Sequence, residues 1–342
     1  MALKWVEGFE SYSNLVAQIA NRYTTFGAST SSFLPGRAIG NCLNFTGTQL
    51  VTPNLGNQTN WFVGFAFNNV NLNPAVSVNV PIFELRDSGT VQLQVTFNPN
   101  TRLFSVWRGT QTVLLGTGVF TVTPGAWYYI EIGALINAAI GTVTFKVNTV
   151  SDITFGPGNT QVSANAFANI MAWKGPSGIV TGAYQLDDIY INDSTTALNN
   201  TFLGDMKVEG VQVIESGFYT QWGVNILGTP NFQAVQVLAD GLYTQSNIVG
   251  QKDSFECSNL NKITGSIAGV SAIYWSRNTD STIHTVESLV RQGGVDYLGT
   301  AMSISDTAFK AYQTIWEQDP ATVAAWTVAG VGTAEFGYRL AS

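Results

Sequence analysis

The sequence predicts an all-β protein, and three observations carry that expectation. Charged residues make up 11% of the chain against a usual share of about 25%, while hydrophobic residues make up 45%. Thirty-four glycines and abundant Thr, Val and Asn favour short strands joined by tight turns. Alternating apolar segments also recur every 8–12 residues, roughly the spacing of sandwich and barrel strands. At 342 residues the chain exceeds the size at which one core usually keeps growing, so two domains are expected.

The strand signals run in order. Asn60–Phe67 (NWFVGFAF) and Val91–Phe97 (VQLQVTF) alternate with period two, which aims one set of side chains at one face. Leu103–Trp107 follows the turn Asn98-Pro99-Asn100 and pairs with the preceding run as a hairpin. Val113–Leu115, Trp127–Gly133 after Pro124-Gly125, Thr142–Asn148 after Gly141, and Tyr184–Ile191 complete the series. Helix signals are few. Ser13–Arg22 has a capping serine with Val16, Ile19 and Ala20 at helical spacing, and Ala308–Trp316 suits a helix face or a strand.

The polar stretch Asn192–Asn200 closes the first series, and strand character is expected to resume over Phe202–Val213. This places a short, rigid junction near residue 205, giving domains 1–204 and 205–342. Further strands are expected at Phe232–Leu238, Lys262–Trp275, Thr282–Val290, Val295–Ser303 and Ala334–Leu340. No internal repeat links the halves.

Charge and cysteine use narrow the function classes. The net charge is −7 and no Lys/Arg cluster occurs, which argues against a nucleic-acid partner. Cys42 and Cys257 read as free thiols. The opening MALKWVEGFESYSN lacks the apolar core of a signal peptide, and no apolar run is long enough for a membrane span. Synthesis in a cytoplasm is therefore expected, and the Asn-x-Ser/Thr triplets at Asn44, Asn57, Asn192 and Asn199 carry no glycosylation message.

Several segments together resemble a known family. Gly8–Tyr12 (GFESY), Trp61–Phe67, the hairpin LFSVWRGTQTVLLGTG and above all PGAWYYIEIGALINAAIGTVTFKVN are similar to a concanavalin A-like lectin/glucanase jelly roll of the laminin-G type. The Leu186–Tyr190 segment resembles that family's closing strand. More narrowly, YQLDDIYINDSTTALNNTFLGDMKVEGVQV, VGQKDSFECSNL and QDPATVAAWTVAGVGTAEFGYRL resemble tailed-bacteriophage structural proteins. The resemblance implies an N-terminal lectin-like jelly-roll sandwich followed by a second, smaller β-rich, virion-associated domain. It implies a structural or accessory virion component (capsid decoration, collar or tail), made in the host cytoplasm and located in the virion. Its partners would be other virion proteins and copies of itself, with a host surface glycan as a possible contact.

The same family contains glucanases, whose chemistry needs two carboxylates flanking a glycosidic bond. Glu84 and Asp87 are three apart and face opposite sides of a regular strand. Glu131 stands alone in an aromatic strand, and the adjacent Asp187 and Asp188 cannot share a cleft on a regular strand. No catalytic pair is expected, so the chain reads as non-enzymatic. The lone His284 has no Gly-x-Ser-x-Gly partner, and no phosphate loop occurs. Asp187–Asp188 could bind calcium, against the simpler reading that one carboxylate pairs with Arg37 or Arg86. The alternative function is a carbohydrate-binding adhesin module of a tail fibre. Trp5, Trp107, Trp173 and Trp222 flank turns or polar segments and are the candidate glycan contacts. Trp61, Trp127 and Trp326 lie in strand patterns and are expected in the core.

Overall fold

The computed structural model of the chain describes residues 1–12, 16–27, 31–46, 49–176, 181–236, 240–280 and 282–342. It divides into two compact units, Met1–Glu10 with Asn14–Val208, and Ser11–Ser13 with Glu209–Ser342. The division falls after Val208, beyond the expected 204/205 junction, because residues 201–208 are bonded to the first unit. Both units are built almost wholly of strands. Among the described residues no helix is long and apolar enough to cross a membrane.

The first unit begins with β1 (Leu3–Glu7), β2 (Thr25–Phe26), β3 (Ser32–Pro35), β4 (Asn41–Phe45) and β5 (Gln49–Val51). The long strands follow: β6 (Asn60–Asn69), β7 (Val80–Asp87), β8 (Thr90–Asn98), β9 (Leu103–Arg108) and β10 (Val113–Thr117). The last five are β11 (Trp127–Leu135), β12 (Gly141–Val147), β13 (Val150–Gly158), β14 (Ile170–Lys174) and β15 (Tyr184–Asp193). One antiparallel sheet has the order β13-β12-β11-β6-β15-β4-β3, with β1 also paired to β15; the other runs β10-β9-β8-β7-β14-β5-β2. Two antiparallel sheets facing each other across one core make a sandwich, as the period-two pattern requires.

That core is aromatic. Phe65, Phe67, Phe83, Phe97, Phe104, Phe145, Trp173 and Tyr184 are all buried. Their rings meet in edge-on and tilted contacts such as Phe97–Phe104 at 5.1 Å and Phe65–Trp173 at 5.9 Å. Alternation places Leu93, Val95 and Phe97 of β8 on this inner face and Gln92, Gln94 and Thr96 on the outer one.

The second unit contains β16 (Val213–Thr220), β17 (Gly223–Val224), α1 (Asn231–Val235), β18 (Thr244–Gln245), β19 (Lys252–Cys257) and β20 (Val270–Ser276). It continues with β21 (His284–Gln292), β22 (Val295–Ile304), β23 (Lys310–Trp316), α2 (Val328–Thr333) and β24 (Glu335–Leu340). One sheet runs β16-β19-β24-β21-β22, and β17–β18 and β20–β23 form two-stranded ribbons. Among the described residues its core includes the clusters Val290, Trp326, Val331 and Ala334, and Val286, Ile304 and Leu340.

Several local expectations change or resolve, and of Lys262–Trp275 only the part from Val270 is a strand. Residues 202–212 are irregular, and strand structure starts only at Val213. Phe232–Leu238 was expected as a strand, but Pro230 leads into α1, and residues 237–239 lie outside the described set. Ala308–Trp316 resolves as a strand from Lys310, because pairing with β20 satisfies its backbone. Among the described residues of Ser13–Arg22 a 3₁₀ turn covers Val16–Asn21, and residues 13–15 lie outside the described set.

Candidate functional site

The carboxylates come first, since catalysis in this fold would need them free. Along β15, pairing with β4 ends at Leu186 and pairing with β1 starts at Ile189, so Asp187 and Asp188 sit in the gap between two partner strands. The register shifts there, and Asp188 has φ +50°, in the left-handed region. A bulge of this kind breaks strict alternation, and both side chains are buried. The expectation that they cannot share one side assumed a regular strand and is corrected.

Arg37 organises this gap. Its Nε donates to Asp188 Oδ2 at 2.9 Å and its backbone N–H to Asp187 Oδ2 at 2.8 Å. The remaining guanidinium nitrogens reach Asp205 Oδ1 and the Met206 carbonyl, both at 2.5 Å. Asp187 Oδ1 accepts from the Asp188 N–H at 2.8 Å, and Asp188 Oδ1 from the Val208 N–H at 2.7 Å. Glu10 joins the cluster with Oε1 buried and without a hydrogen-bond partner. Burial, then the neighbouring Asp187 charge, pushes the Glu10 carboxyl up to about 10; burial and Asp188 push Asp187 up to about 8. Asp188 is also raised, chiefly by burial.

This donor set does not fit calcium. A calcium site needs six to eight oxygens with free lone pairs, whereas all four Asp187 and Asp188 oxygens already accept N–H groups. The balancing positive charge is the Arg37 guanidinium. Among the described residues no group of three or more His, Cys, Asp or Glu side chains is placed to hold a metal ion.

The other carboxylates also accept hydrogen bonds from this chain, while Glu131 Oε2 is buried without a partner. Glu131 is fully buried, and its Oε1 accepts from Tyr190 Oη at 2.6 Å and the Gly204 N–H at 2.8 Å. Tyr190 reaches it because its ring lies over Gly64, where a Cβ would fall 2.1 Å from the ring. Glu84 accepts from Gln94 Nε2 at 2.6 Å and from the Arg86 guanidinium. Asp87 ties down the 163–165 loop through Ser163 Oγ and Asn165 Nδ2. His284 lies on β21 with Nε2 3.3 Å from Asp280 Oδ2. Cys42 and Cys257 are free thiols.

The tryptophans divide. Trp5 is buried, donating to Tyr23 Oη at 3.2 Å beneath the Arg22 guanidinium. Trp173 is fully buried between Phe65 and Phe83. Neither can stack on a sugar: polar sequence neighbours do not reveal that the side chain turns inward. Trp127, expected in the core, is instead partly exposed, while Trp61 and Trp326 are buried. Trp107 and Trp222 are both partly exposed. Trp222 lines a cavity of about 700 Å³ within the second unit.

Trp107 has informative neighbours. Sheet register sets Ala172, Glu84, Gln94, Trp107 and Leu114 in one transverse row across the outer face of the second sheet. Trp107 Nε1 donates to Thr96 Oγ1 at 2.9 Å, and the next row adds Ser105 bonded to Thr117. Ala172, Glu84, Gln94, Thr96 and Ser105 in these rows are buried, whereas Trp107, Leu114 and Thr117 reach the surface.

No family model matches the chain, and no curated protein matches it. Among solved structures it is similar to domain 4 of AbnA, a GH43 extracellular arabinanase from Geobacillus stearothermophilus solved with arabinotriose. That match has 12% identity over 56% of this chain and 92% of that chain, with a TM-score of 0.39. The alginate lyase Aly36B matches at 11% identity over 55% of this chain and 96% of its own, TM-score 0.39. Trypanosoma rangeli sialidase matches at 15% identity over 50% of this chain but only 29% of its own, TM-score 0.34. Identity this low assigns neither a substrate nor an activity.

Proposed function

We propose that the protein is a non-enzymatic contact protein, a structural or accessory component of a bacteriophage virion: capsid decoration, collar or tail-associated. The observation that carries the non-enzymatic part is the use made of the acidic side chains. Asp187, Asp188, Glu131, Glu84 and Asp87 accept hydrogen bonds from this chain's own backbone and side chains. A carboxylate spent in this way is unsuited to attack or protonate a glycosidic bond. The virion part is supported by the sequence resemblance and by the low charge density. Repeated virion positions favour a homo-oligomer, and the lectin-like unit is the one assigned to surface contact. Mass spectrometry of purified particles is expected to find this chain in stoichiometric amount; its absence overturns the reading.

A second reading, the adhesin module of a tail fibre, is favoured by one observation: Trp107 on β9 is partly exposed. Indole faces stack on sugar C–H surfaces. On this reading a glycan array detects host-surface glycans, and Trp107→Ala removes the signal. An array without signal for the intact protein rejects it.

A further inference from the structure

The second unit holds a feature that neither reading uses. Its cavity of about 700 Å³ is bordered by the β20–β23 ribbon, the β17–β18 ribbon and one face of the five-stranded sheet. That volume is in the range of pockets that hold a small organic ligand. Part of the wall is a run of planar groups. Trp275 and Phe309 stack at 8° with centroids 6.4 Å apart. The Arg277 guanidinium then lies 4.7 Å from the Phe309 ring and 5.5 Å from the Tyr243 ring.

Arg277 has a flat guanidinium and, among the described residues, no ion-pair partner. Among the described residues the second unit's ion pairs join Lys252 and Arg291 to Asp296, His284 to Asp280, Lys310 to Asp306 and Arg339 to Glu287. Arg277 belongs to none of them. Asp280 also borders the cavity but is engaged by His284 and by the Thr282 N–H. Beside Arg277, the Trp275 indole N–H is buried with no hydrogen-bond acceptor. The Trp275 N–H is a buried donor lacking an acceptor, and leaving such a donor unmatched is costly; Arg277 is only partly buried.

The rest of the lining decides the ligand class. Gln245, Asn247 and Thr279 are exposed and line the same cavity, so amides and a hydroxyl share it with the rings. Rings that accept C–H faces, neutral polar groups that meet hydroxyls, and a stacked guanidinium that takes a carboxylate bidentately describe one chemistry. We infer that this cavity binds an acidic saccharide, with a uronate-type carboxylate on Arg277 and a pyranose face on the Tyr243–Phe309–Trp275 wall. The site is separate from Trp107 and stands or falls independently of it.

The test uses calorimetry on the full chain with trigalacturonate as probe and maltotriose as the neutral control. Trigalacturonate is expected to bind saturably, more weakly as salt rises, while maltotriose binds at least about tenfold more weakly. Arg277→Gln is expected to weaken trigalacturonate by about tenfold or more, and Arg277→Lys, which keeps the charge without the planar fork, by less. Melting curves matched to the parent chain show that each variant is folded. No binding of trigalacturonate, equal binding of maltotriose, or unchanged affinity in a folded Arg277→Gln chain overturns the proposal.

Discussion

Arg37 is the residue on which the buried Asp187–Asp188 pair converges. Its side chain meets Asp188, Asp205 and the Met206 carbonyl while its guanidinium carbon lies 5.1 Å from the Tyr129 ring centroid. Removing one member of a buried pair strands the other charge, at a typical cost of about 3–5 kcal/mol. Arg37→Met is therefore expected to destabilise the first unit by roughly that amount in urea unfolding. A change below about 1 kcal/mol, the level of an exposed ion pair, contradicts this account. The same arrangement explains why the simpler reading of the Asp pair prevails over calcium: the cation is already present as part of the chain.

At the scale of elements, residues 201–208 act as a strap across the outer face of the first sheet. Leu203 N–H bonds to Tyr190 Oη, Gly204 N–H to Glu131, and Val208 N–H to Asp188. Phe202 anchors it, edge-on to Phe62 at 5.1 Å with Lys146 Nζ 3.8 Å from its ring centroid. The ring fits only because Gly133 lies beneath, where a Cβ would sit 2.5 Å from Phe202. Gly133→Ala is expected to lift the strap, so that hydrogen exchange across 201–208 accelerates by about tenfold or more while the core strands keep their protection. Uniform exchange across the unit would instead indicate global destabilisation.

At the scale of the molecule, buried acids set how stability responds to pH. Asp187 ordinarily titrates near 3.8 and Glu10 near 4.5, but in the folded unit they are held up to about 8 and about 10. Above pH 4 the unfolded chain loses these protons while the folded unit keeps them. Stability therefore falls as pH rises through about 8, and Glu10 extends the fall toward about 10. Asp280, Asp296 and Asp306 are shifted downward, so their contribution is lost only in acid, below about pH 4. Calorimetry is expected to give a lower Tm at pH 9 than at pH 5, with a flatter profile in Glu10→Gln, which has no proton to lose. A Tm that climbs between pH 5 and pH 9 contradicts this linkage.

The sequence by itself determined the strand class and most strand positions. Alternation in Asn60–Phe67, Val91–Phe97 and Thr142–Asn148 survives into the sandwich because a sheet with one buried face enforces period two. Free cysteines and a strand around His284 were legible on similar grounds. Tertiary structure decided whatever depends on which segment lies next to which. The Asp187–Asp188 bulge exists because β15 changes partner there, and nothing local to those two residues announces a change of partner. The inward turn of Trp5 and Trp173 follows from register, not from polar neighbours in sequence. Residues 202–212 read as a strand from their side chains, yet the buried acceptors of another sheet hold the segment's first half as a strap. Periodicity is a property of neighbours along the chain; burial, charge pairing and the cavity around Arg277 are properties of neighbours in space.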